Sequence, residues 1–140
     1  MNKDGVIVCL EEYLGTFRCH ASLFSEIAGI VARSGYERAF FVLLIAQLGI
    51  LAAQGADAIR FPGFERLKHS GGELYSMHLD GRDFNLRIVY SFLPDRAPVL
   101  LTAFFERGGK RTSDYTPYIP TAKERLDFER SLFNNEPFRA

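Results

Sequence analysis

A histidine and an arginine are written onto the same side of a hairpin between residues 71 and 92. Period-two alternation puts Phe84, Leu86, Ile88, Tyr90 and Phe92 on one face of its second strand and Asn85, Arg87, Val89 and Ser91 on the other. On the preceding run Tyr75, Met77 and Leu79 form the apolar set, which leaves Ser76 and His78 opposite. Whether the turn is centred on Asp80-Gly81 or on Gly81-Arg82, the pairing keeps Ser76, His78, Asn85 and Arg87 on one side. With His78 opposite Asn85, Arg87 becomes its diagonal neighbour at about 7 to 8 Å, within reach of long side chains. An imidazole that titrates near neutral pH beside a permanently charged guanidinium is equipped to move a proton next to a fixed positive charge. The alternative reading of the same residues is the polar outer face that a half-exposed antiparallel sheet ordinarily presents.

Other chemistries find little support. His20, His69 and His78 with Cys9 and Cys19 make no paired metal-ligand spacing, so neither a structural nor a catalytic metal, nor any other cofactor, is expected. Gly108-Gly109 lacks the strand-to-helix context of a phosphate-binding loop, and neither a serine-nucleophile motif nor a dinucleotide fingerprint occurs.

The hairpin belongs to a meander. Apolar runs around Gly71–His78, Phe84–Tyr90 and Val99–Phe105 are separated by Asp80-Gly81 and by Pro94-Asp95, which predicts three antiparallel strands. Upstream, the β-prone run Val6 to Cys9 predicts a first strand. Leu23, Ile27, Ile30 and Val31 recur at helical spacing and predict a helix over 22–33 that stops at Gly35. Ser34-Gly-Tyr-Glu37 has capping-box spacing and opens a second helix running to about Gln54, with Gly55 as its C-cap. That helix is apolar on nearly every side, so it needs cover from the first helix and from the sheet. Gly49 within it permits close approach of a neighbouring backbone. Thr121-Ala-Lys-Glu124 repeats the capping pattern and predicts a closing helix to about Phe133. The fold class is therefore α+β: an N-terminal strand and a two-helix hairpin packed on an antiparallel sheet, with a short C-terminal helix.

At 140 residues the chain fits one domain, assigned to 1–133, with a loose tail over 134–140. Its 17 basic and 17 acidic residues cancel, so no global field steers it to nucleic acid or to an anionic membrane. Residues 1 to 59 hold only Lys3, Arg18, Arg33 and Arg38, so a nucleic-acid site would be local and in the second half. Ala39 to Ala53 is short for a bilayer span and carries Gln47, which favours a buried core helix over a membrane segment. Two cysteines are too few for a disulfide framework, and the Val6–Leu10 run lacks signal-peptide flanks; a cytoplasmic protein with free thiols is expected.

Taken together, Leu67-Lys68, Gly72-Glu-Leu-Tyr-Ser-Met-His78, Leu86-Arg-Ile-Val-Tyr90, Val99-Leu-Leu-Thr-Ala-Phe104 and the basic stretch Arg107-Gly-Gly-Lys-Arg111 resemble, in order and spacing, the RelE/ParE toxin superfamily of bacterial toxin-antitoxin systems, in its HigB-like, phage-derived branch. The resemblance covers roughly residues 20 to 130. It departs from the pattern at Ser76, where an acidic residue is usual, and in its neutral charge.

The resemblance implies a ribosome-dependent mRNA endonuclease that works without metal. Arg87 would then hold the scissile phosphate, His78 would act as general base on the 2′-hydroxyl or pair with the phosphate, and Lys110 or Arg111 would stabilise the transition state. Tyr115 would stack on a base or shuttle a proton, while Lys68, Arg82 and Arg107 would be secondary RNA contacts. The implied partners are the ribosome with its mRNA and a cognate antitoxin, a helix-turn-helix protein; a homodimer or a toxin-antitoxin hetero-oligomer is compatible, and no membrane partner is implied. Two rivals share the fold: a ParE-like inhibitor of DNA gyrase, and a non-catalytic interaction protein.

Overall fold

The computed structural model describes residues 1–106 and 114–136. Within them an α+β chain is built from four α-helices and a five-stranded mixed sheet. The order along the chain is α1 (Lys3–Tyr13), β1 (Arg18–Cys19), α2 (Ser22–Val31), α3 (Glu37–Gln54), a 3₁₀ turn (Gly55–Arg60), β2 (Phe64–Arg66), β3 (Tyr75–Asp80), β4 (Asn85–Phe92), β5 (Pro98–Phe105) and α4 (Ile119–Asn134). The sheet runs β1-β5-β4-β3-β2, with β1 parallel to β5 and every other pair antiparallel. The predicted meander is β3 to β5; the short strands β1 and β2 extend it on either side.

The N-terminal strand expected at Val6 to Cys9 is instead the middle of α1. Asn2 caps that helix by accepting a hydrogen bond from the Gly5 amide at 2.8 Å, Asp4 sits in the first turn, and Val6, Leu10 and Leu14 recur every fourth residue on the buried side. Four β-prone residues were outweighed by a cap and a helical period extending on both sides of them. The two later caps are also displaced. Ser34 Oγ accepts from the Tyr36 amide at 3.2 Å, and α3 starts at Glu37. α4 begins two residues before Thr121, because Pro120 suits a first helical turn. It also runs through Asn134, the first residue of the expected tail; residues 137–140 lie outside the described residues.

Two hydrophobic cores sandwich the sheet. On one face Met77, Leu79, Leu86, Ile88 and Tyr90 meet α1, α2 and α3 through Val6, Leu10, Ile27, Phe40 and Leu44. This is the apolar face that alternation predicts. The opposite face, expected to be polar and open, is largely covered by α4: Leu74, Val89, Leu101 and Phe104 pack with Ala122, Leu126 and Phe133. A register shift between Val89 and Tyr90 sets Leu101 and Thr102 together against Val89, which adds apolar area on the α4 side. Charge pairs fasten the helix down. Arg18 donates to the buried Glu129 at 2.9 Å, and Arg125 donates to Glu26 at 2.8 Å and to the Leu101 carbonyl at 2.9 Å. A carboxylate as buried as Glu129 needs such a partner.

The long helix α3 is only half covered. Phe40, Leu44, Leu48 and Leu51 face the core, whereas Val42 and Ile45 stand in solvent. The stretch Glu37–Arg60 is long and apolar enough to cross a membrane by length and composition, with a mean hydropathy of 2.0 in its most apolar window, one third of which is buried.

Candidate functional site

Strand register decides what His78 meets. Asp80 pairs with Asn85, which leaves a four-residue turn, 81–84, closed by a 2.9 Å hydrogen bond from the Gly81 amide to the Phe84 carbonyl. A two-residue turn centred on Gly81-Arg82 would have placed His78 opposite Asn85, and one centred on Asp80-Gly81 would have placed Ser76 there. With the longer turn His78 lies directly opposite Arg87, and the four predicted residues Ser76, His78, Asn85 and Arg87 still share a face. The aromatic Phe84 is the reason: its ring is buried against Tyr36 and Phe40, so the chain reverses only after docking it.

Tyr115, on the segment leading into α4, reaches this face across 37 residues of sequence. Its hydroxyl donates to Ser76 Oγ at 2.8 Å and stands 3.1 Å from His78 Nε2. With the tyrosine proton given to Ser76, the neutral imidazole is protonated on Nε2, donates to the tyrosine oxygen, and keeps its basic lone pair on Nδ1. The Tyr115 ring is buried edge-on against Phe104, which in turn stacks on Tyr118 at 3.8 Å. With the ring buried, the hydroxyl is the part of Tyr115 that meets the cluster.

Arg87 is buried, with 8 % of its side chain exposed. Its Nη1 donates to Asp80 Oδ1 at 2.5 Å, to the Leu86 carbonyl at 3.0 Å and to Asn85 Oδ1. The guanidinium is thus pinned on its own hairpin, the arrangement that fixes a charge in place rather than leaving it on a mobile arm. Asp80 is the carboxylate it finds, not Asp83 or Glu73. Glu65 on β2 comes within 3.5 Å of His78 Nε2, and Asp80 Oδ2 lies 4.0 Å from Nδ1.

The titration of His78 follows from these neighbours. Burial, then the positive charge of Arg87, push the imidazole below its ordinary value, while Glu65 and Asp80 pull the other way; the net direction is down. At neutral pH the ring is therefore uncharged and able to accept a proton.

Of the sequence-predicted site residues, His78, Arg87 and Tyr115 converge. Lys68 and Arg82 are exposed and form no hydrogen bond or ion pair with the cluster. Arg107, Lys110 and Arg111 lie outside the described residues. Sequence reasoning placed Ser76 on this face without a bonding role and missed Asp80 and Glu65 as members of the cluster. Ser76 could have been found, because it shares the β3 face with His78 two residues away; Glu65 could not, because nothing in the sequence sets the β2 register. Among the described residues no group of three or more histidine, cysteine, aspartate or glutamate side chains is arranged to hold a metal ion.

Compared with known proteins, the sequence matches no family model, and no curated protein matches it significantly.

Proposed function

We propose that the chain is the toxin of a toxin-antitoxin pair: a cytoplasmic, metal-independent endoribonuclease that cuts mRNA on the ribosome, with a RelE/HigB-like arrangement. The observation that carries this reading is the convergence of His78, Tyr115 and Ser76 beside the pinned Arg87, in a chain whose sequence continues from β5 into the basic stretch Arg107 to Arg111.

The chemistry is transesterification. Neutral His78 takes the proton of a ribose 2′-hydroxyl on Nδ1, the 2′-oxygen attacks the adjacent phosphorus, and the bond from phosphorus to the 5′-oxygen breaks. The Nε2 proton passes to Tyr115 as its hydroxyl proton passes to the departing 5′-oxygen, so no net proton is gained or lost. Arg87, with Lys110 or Arg111, balances the charge that grows on phosphorus-bound oxygens. The products carry a 2′,3′-cyclic phosphate and a 5′-hydroxyl.

A second reading, a ParE-like gyrase inhibitor or other protein-binding module, draws support from the exposed apolar side of α3 and from the two carboxylates, Glu65 and Asp80, beside His78. One experiment separates the two. Purified protein added to mRNA-programmed ribosomes with a chelator present is expected to cut the message and leave 5′-hydroxyl ends, and to cut naked RNA poorly because its net charge gives little hold on phosphate. Ends bearing 5′-phosphate, or arrested gyrase with intact RNA, would overturn the nuclease reading.

A further inference from the structure

On the solvent side of α3 the residues Val42, Ala46, Gly49 and Ala53 are all exposed and follow one another at intervals of four, three and four, the spacing of a seam between two helices. Val42 is 64 % and Ile45 48 % exposed. A side chain added at Gly49 would meet nothing within 4 Å. Glycine weakens a helix interior, and what it permits in return is close approach of another backbone, which nothing else in the described chain supplies.

We propose that this face is the interface of a homodimer in which α3 of two copies pack antiparallel about a two-fold axis. The occupant is a second copy because the face complements itself. An axis passing midway between residues 47 and 48 sets Val42 against Ala53, Ile45 against Ile50 and Ala46 against Gly49, so the backbones can approach closely at the Ala46–Gly49 layers while the valine and isoleucines fill the layers on either side. The charges agree. Arg38, exposed at the start of α3 and without an ion pair among the described residues, is carried to the far end of the second α3. There the last helix carbonyls carry partial negative charge, and Asp57 is exposed and only loosely engaged with Arg60 at 3.9 Å. The match occurs twice in each dimer. A groove of about 590 Å³ bordered by Tyr36, Arg38, Val42 and Leu43 lies at the N-terminal end of α3, where the C-terminal end of the second α3 would seat. One helix pair about 27 Å long is a small interface, so dissociation is expected in the micromolar range.

Sedimentation of the full chain from about 1 to about 300 µM tests this. A monomer-dimer equilibrium is expected in the wild type. Ala46→Glu should hold the protein monomeric throughout, with unchanged circular dichroism and melting because Ala46 is exposed. Arg38→Glu should weaken the dimer about tenfold, and adding Asp57→Arg should restore it, which a merely hydrophobic association would not do. A wild-type chain that stays monomeric at every concentration, a dimer indifferent to Ala46→Glu, or a monomer that binds phosphatidylcholine vesicles through this face would overturn the proposal.

Discussion

The two faces of the sheet are built from the same three strands and end in different states. Under α1, α2 and α3 the face is apolar from Tyr75 to Phe92, and its one buried polar atom without a partner among the described residues is the Tyr90 hydroxyl. Under α4 the face is apolar at Leu74, Val89, Leu101 and Phe104; on β3 and β4 toward their turn it becomes Ser76, His78 and Arg87, closed over by Tyr115. The difference teaches that a polar cluster can be held within a packed layer when each of its groups has a partner. The apolar half of that face then serves as the rigid frame for the polar half.

That contrast can be broken from either side. Leu126→Ala and Leu44→Ala each remove a fully buried side chain, one from each core, and each should cost about 2 to 5 kcal/mol. Only Leu126→Ala should loosen Tyr115, so only there should the His78 titration move back toward its ordinary value; denaturant melts with imidazole resonances in nuclear magnetic resonance would show it. Equal movement in both variants would mean that the two faces are not independent.

Arg87→Ala acts within the polar half. Loss of the hydrogen bonds to Asp80 and the Leu86 carbonyl should cost about 1 to 3 kcal/mol. Because the Arg87 charge holds His78 down, its removal should raise the imidazole titration, and RNA cleavage should fall by about 100-fold or more. Tyr115→Phe is milder: the ring stays packed on Phe104, the contacts to Ser76 and His78 are lost, and stability should drop by about 1 kcal/mol, read by the same melts.

The smallest effect is on pH. His78 titrates lower in the folded chain than in the unfolded one, so the stability it contributes is present above the ordinary imidazole value and is lost as pH falls through the lowered folded value. Melting temperature should therefore decline as acidity increases through that window, less steeply in His78→Gln.

Much of this was legible in the sequence. Alternation along Phe84 to Phe92 assigned the faces, and Leu23 to Val31 with Gly35 and Gly55 bracketed α2 and α3 within a few residues. What escaped depended on distant contacts. The period of Val6, Leu10 and Leu14 is helical but the run between them is β-prone, and the Asn2 cap together with burial of that period decides for the helix. Burial of the His78 face depends on where α4 lands, which is fixed by Arg18 to Glu129 and Arg125 to Glu26, pairs about 100 residues apart in sequence. The site was legible as two residues on adjacent strands of one hairpin; its third member, Tyr115, was pointed to by the family resemblance alone, and its meeting with Ser76 by nothing in the sequence.

Growth arrest by a folded His78→Ala variant is the most direct test of whether the His78 cluster performs the chemistry. Induced in a bacterial host, the wild-type chain should arrest translation and leave 5′-hydroxyl cuts in mRNA, whereas His78→Ala, shown by circular dichroism to be folded, should do neither. Full arrest with the same cuts by the folded variant would contradict the account.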